Sequence, residues 1–141
     1  MIIAIDFDGT CVSHAFPEVG KEIGAPKVLK KLIENGHQLI LWTMRSDIEG
    51  DSVPSPEFEG LFDGKYLTDA VNWFKKHNIP LYGIQNNPSQ YEWTSSPKAY
   101  AHLYIDDAAL GVPLIFDINE RRPYVDWERV ENLLKELKYI R

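Results

Sequence analysis

The chain has 141 residues, 44% hydrophobic and 26% charged, a balance that fits one globular domain (1–141) and leaves little room for two. Its single cysteine, Cys11, excludes an internal disulfide and agrees with a reducing compartment. A net charge of −6 weighs against nucleic acid as a partner, because such binders carry a basic face.

The chain opens Met1-Ile2-Ile3-Ala4-Ile5, without a basic leader, and no stretch approaches the ~18 apolar residues of a membrane span. A cytoplasmic location with no membrane partner is therefore expected. Ile2 to Ile5 is a short β-branched run and reads as a buried strand. Gly9 to Ala25 holds three glycines and a proline and reads as loop. Pro26 can open a helix, Leu29, Leu32 and Ile33 give it an apolar stripe, and Gly36 can close it. Gln38 to Thr43 reads as a second buried strand. Asp47 to Gly64, with Pro54 and Pro56, reads as a long loop, and loops of that length are often functional.

Leu67, Ala70, Val71 and Phe74 recur at the spacing of a helix packed on a core. Leu81 to Ile84 predicts a third strand, Asn86 to Pro97 a loop, and Leu103 to Ile105 a fourth strand. Pro113 to Phe116 predicts a fifth. Asp126 can cap a last helix, whose stripe is Trp127, Val130, Leu133, Leu134 and Leu137. Apolar strands alternating with amphipathic helices predict an α/β fold: a doubly wound, mostly parallel five-stranded sheet covered on both faces.

In such sheets ligands bind beyond the carboxyl ends of the strands. Asp6, Thr43 and Asp106 each follow a predicted strand, so groups from distant parts of the chain converge on one edge. Asp6 and Asp8 stand two residues apart, and period-two geometry points both the same way. Asp106 and Asp107 add two more carboxylates. Like charges so close call for a cation, and a hard divalent ion with oxygen ligands such as Mg²⁺ suits them. A lone Asp-x-Asp-Gly or Asp-Asp is more often a turn or a cap; the two together, with Thr43 and Lys98 in order between them, point to a site.

The order Asp6-Phe7-Asp8-Gly9-Thr10, Thr43, Lys98, Asp106-Asp107 resembles the four motifs of the haloacid dehalogenase superfamily, over most of the chain. The resemblance implies a Rossmann-like core and a phosphatase chemistry. Asp6 matches the nucleophile that forms an aspartyl phosphate. Asp8 matches the general acid, which then serves as base toward water. Asp6, the Asp8 carbonyl and Asp106 match the Mg²⁺ ligands, with Asp107 behind them. Thr43 and Lys98 match the phosphate contacts. The physics agrees: two unit charges at about 4 Å repel by about 4 kcal/mol at an effective dielectric near 20, so an anionic nucleophile needs cations beside it.

Within the superfamily, an acid at the position of Asp8 marks phosphatases and phosphomutases, and the mutases carry a sizeable cap for which this chain has no room. A nearly capless enzyme with an open site is expected. Its phosphorylated substrate is of unknown class: capless relatives take large substrates or borrow a second subunit as lid, so a homo-oligomer is compatible. Small metabolites fit if the 47–64 loop folds over the site.

Arg45, two residues after Thr43, is a candidate for a second anionic group of the substrate. His14 lies in the loop after the nucleophile. Asn86 and Asn87 suit a turn, Cys11 suits packing, and Trp42 and Trp73 suit the core. Two alternatives stand beside the phosphatase. A phosphoreceiver signalling module also clusters aspartates, but its acceptor lies on a third strand, and Leu81-Tyr82-Gly83-Ile84 has no Asp. A phospho-ligand binding protein without turnover is the other.

Overall fold

Residues 1–48 and 64–141 are described by a computed structural model. Among these residues eight strands form: β1 Ile2–Ile5, β2 Gln38–Leu41, β3 Asp47–Ile48, β4 Gly64–Lys65, β5 Gly83–Ile84, β6 Leu103–Ile105, β7 Leu114–Ile115 and β8 Tyr124–Val125. The helices are α1 Ala25–Glu34, α2 Tyr66–Lys76 and α3 Trp127–Glu136.

Local chemistry sets the helix ends. Pro26 sits in the first turn of α1, where its missing N–H is not needed. At its other end Gly36 takes φ 83, its N–H donates to Ile33 O at 2.9 Å and the His37 N–H to Leu32 O at 3.1 Å. That is the paired arrangement by which a left-handed residue closes a helix. Asn78 and Lys138 close α2 and α3 in the same way, at φ 56 and φ 62. Asp126 caps α3 by accepting from the Arg129 N–H at 3.2 Å.

Four strands make the main sheet, all parallel, in the order β5-β2-β1-β6. The expected fifth strand is not among them. Leu114–Ile115 pairs antiparallel with Tyr124–Val125, in a separate two-stranded sheet. The run is apolar, but Ile115 and Phe116 are 36% and 80% exposed, so it lacks the burial of a sheet strand.

The helices among the described residues also cover one face, not two. Ile3, Ile5, Leu39, Leu41 and Ile105 share a buried cluster with residues of all three helices, from Leu29 and Phe74 to Val130. Ala4 and Ile40, which alternate to the other face, are buried outside that cluster. The crossover from β5 to β6 covers that second face without an α-helix, carrying a three-residue 3-10 turn at Gln90–Glu92. It lies close: a Cβ at Gly83 would stand 2.1 Å from Asn86 O, so only glycine fits there. Gln90 pins this segment by donating to Ser96 O and Lys98 O at 3.0 and 2.9 Å.

β3 and β4 pair antiparallel and bracket residues 49–63. Most of the long loop read at 47–64, and its suitability as a lid, lies outside the described residues. No cap unit is present among the described residues, and none of their helices is long and apolar enough to cross a membrane.

Candidate active site

The strand ends supply the site, as the parallel sheet dictates. Asp6 follows β1, Thr43 lies just beyond β2, Gln85 follows β5 and Asp106 follows β6. Phe7, fully buried against Trp73 and Phe74 at ring-centroid distances of 5.7 and 6.3 Å, anchors the turn between the first two acids. Its burial is worth about 2–3 kcal/mol and fixes where Asp6 and Asp8 stand. Both line one cavity of about 580 Å³, together with Thr43, Arg45, Asp106 and Asp107.

Asp6, Asp106 and Asp107 each offer a carboxylate oxygen within 4.8 Å of the others. Thr10 binds the early acids to the late ones. Fully buried, it donates its hydroxyl to Asp6 Oδ2 at 2.7 Å and accepts the Asp107 N–H at 2.9 Å. Asp107 Oδ2 in turn meets His14 Nε2 at 2.8 Å. Gly9 makes room for this pair: at φ 79, a Cβ there would lie 2.0 Å from His14 Nε2 and 2.7 Å from Asp107 Oδ2. Burial first, then the nearby charge of Asp106 and the contact with Asp107, push the Asp6 carboxyl up to about 8, against the hydrogen bonds from Thr10 and the Phe7 backbone. Three hard oxygen donors gathered this closely could hold a divalent cation such as Mg²⁺.

Asp8 is held differently. Arg45 Nε donates to its Oδ2 at 2.8 Å and Nη2 to its Oδ1 at 2.7 Å. The other three guanidinium protons go to the carbonyls of Glu18, Pro17 and Tyr66 at 2.8, 3.3 and 3.2 Å. The group is 2% exposed and stands 5.1 Å from the ring centroids of both Phe7 and Phe16. All five donors are therefore committed, and the expectation that Arg45 takes a second substrate anion is corrected. It clamps Asp8 and the loop after the nucleophile.

Gln85, in the left-handed region at φ 61, braces the second strand end. It accepts the Thr43 N–H at 2.9 Å and donates to Thr43 O and Arg45 O at 2.5 and 3.1 Å. The Thr43 hydroxyl oxygen accepts the Arg45 N–H at 3.1 Å, which leaves its own proton for another acceptor. Lys98 is not brought to this cavity: its Nζ lies 5.6 Å from the Tyr104 ring centroid, on the other face of the sheet. Asn87 makes the expected turn, its Oδ1 accepting from Ser89. Cys11 packs in the core, and burial first pushes its thiol pKa up. Trp73 is core, but Trp42 is half-buried and lines a smaller cavity beside Asp6, Gln85 and Asp106.

Sequence reasoning passed over Thr10, Gln85, Phe16 and Arg122. Thr10 was legible in principle, four residues after the first acid and within the motif. Gln85 follows a strand end, which is the same signal that singled out Asp6. Phe16 and Arg122 reach the cavity from loops, where no periodicity announces them.

The chain is similar to a solved structure of a conserved protein from Bacteroides thetaiotaomicron, at 29% identity and a TM-score of 0.67, covering 97% of this chain and 91% of that one. No family model matches the chain, and no curated protein matches it.

Proposed function

We propose that the protein is a Mg²⁺-dependent phosphohydrolase of the haloacid dehalogenase type, cleaving a phosphomonoester through an aspartyl phosphate on Asp6. The observation that carries the reading is the three-carboxylate cluster of Asp6, Asp106 and Asp107 at adjacent strand ends, with no cationic side chain among the described residues paired to Asp6 or Asp106. Asp6, Asp106 and the Asp8 carbonyl would hold the ion, and Asp107 would orient them from behind. When bound, the ion neutralises the approaching phosphate and frees Asp6 from its proton.

The residues divide the remaining work. Thr10 occupies Asp6 Oδ2, which leaves Oδ1 to attack phosphorus. The Thr43 hydroxyl, its oxygen already accepting from Arg45, donates its proton to a phosphoryl oxygen. Each Asp8 oxygen keeps a second lone pair beyond its Arg45 contact, and the proton held there would pass to the leaving oxygen and be replaced by one from the water that opens the aspartyl phosphate. Arg45 fixes both Asp8 oxygens, so the acid reaches the cavity in one orientation. The lone buried cysteine supports a cytoplasmic setting.

Turnover of p-nitrophenyl phosphate tests this. Steady hydrolysis with Mg²⁺, none with EDTA, and loss in a folded Asp6→Asn variant are expected. A receiver module would instead take up one phosphoryl group and stop, and undiminished turnover in chelator would end the metal assignment.

A further inference from the structure

We propose that the substrate is a small phosphomonoester carrying a second anionic group, a carboxylate or another phosphate, and that Arg122 binds that group. The inference rests on the phosphohydrolase reading of the same cavity and specifies what lies beyond the phosphate.

Three basic side chains among the described residues line the cavity: His14, Arg45 and Arg122. Arg45 has spent all five donors on Asp8 and three carbonyls. His14 Nε2 is held on Asp107. Among the described residues Arg122 has one polar partner, Asp107, with Nη2 at 3.9 Å from its Oδ2, longer than a hydrogen bond, and its side chain is 65% exposed. Its guanidinium is thus the charged group at this mouth with donors still to place, in the fork that suits a carboxylate or a phosphate.

Position separates its role from that of the phosphate contacts. Arg122 lies on the segment between β7 and β8, and Asp107 stands between it and Asp6. A phosphoryl group on Asp6 and an anion on Arg122 are therefore different groups of one ligand. Arg121 Nη1 donates to Phe16 O at 3.4 Å and ties this segment to the Phe16 wall. The apolar part of the cavity lining is Phe16, Met44, Ile48 and Ala108. A volume of about 580 Å³ suits a small molecule with an uncharged middle.

The test compares 4-carboxyphenyl phosphate with phenyl phosphate in Mg²⁺, reading the ratio of their kcat/KM values. Arg122→Gln is expected to lower that ratio about tenfold, the share of one charge-assisted hydrogen bond, and Arg122→Glu to lower it further. The leaving-group chemistry of each ester is common to all three proteins, so the change in ratio reports Arg122 alone. A ratio unmoved by both substitutions overturns the proposal. The Kd ratio of the two corresponding phosphonates, by calorimetry, reads the same quantity without turnover. If the wild type hydrolyses neither ester, the phosphohydrolase reading fails, and the phosphonate ratio still decides the role of Arg122.

Discussion

Two acidic centres stand side by side in this molecule and are treated in opposite ways. Asp8 is compensated within the chain, by a bidentate guanidinium at 2.7 and 2.8 Å that is itself almost wholly buried. Asp6, Asp106 and Asp107 crowd within 4.8 Å, and among the described residues they meet a threonine hydroxyl, the Phe7 and Ala108 N–H groups, a histidine and a distant arginine. A fold that can bury an arginine against one acid could have done so for the others. On the proposed reading, the first centre is an internally satisfied clamp and the second a place for a cation from solution.

The largest expected effect lies at the second centre. Asp6→Asn should cut kcat by at least about 10³-fold with the far-UV circular dichroism unchanged, because the proposed nucleophile and one carboxylate of the proposed ion site are lost together. Stability should then separate the centres by sign. Asp8→Asn strands the buried Arg45 and should cost about 3–5 kcal/mol in urea unfolding. Asp106→Asn removes a repelling charge, so in EDTA it should leave the unfolding free energy equal or higher.

The pH dependence sharpens the same contrast. The folded carboxyl of Asp6 sits at about 8, above its ordinary value of 3.8, so the native state binds more protons than the unfolded chain between those values. Metal-free stability should therefore fall as pH rises through that window and level off above it. The difference between wild type and Asp6→Asn in EDTA should change by up to about 1.4 kcal/mol per pH unit. Mg²⁺ should flatten it, and a flat difference in EDTA would show that the three carboxylates are not frustrated. The smallest effect is expected at Lys98: Lys98→Ala should keep kcat/KM within about threefold, since its ammonium rests over Tyr104.

Much of this was legible in the sequence, for physical reasons. β1, β2 and β6 are β-branched or apolar runs that end where acids and a threonine begin, so the strand-end rule found Asp6, Thr43 and Asp106 without coordinates. Helix α1 carried its own punctuation in Pro26 and Gly36. The expected fifth strand failed because an apolar run states burial but not partner: Leu114–Ile115 found Tyr124–Val125 instead. The second layer of helices failed because the crossover after β5 covers its face through Gln90 and Asn87, side-chain bonds with no periodic trace. Arg45 was noticed but misassigned, since its five acceptor atoms come from three separate stretches of chain and only folding reveals that its donors are spent.

The central claim is that Asp6 takes the phosphoryl group with a divalent ion beside it. Acid-quenched mass spectrometry during Mg²⁺-supported turnover tests it most directly. One added phosphoryl group on the Asp6 peptide, absent when EDTA is present, is the predicted result. Sustained turnover with the label on another residue, or with the Asp6 peptide never modified, would contradict it.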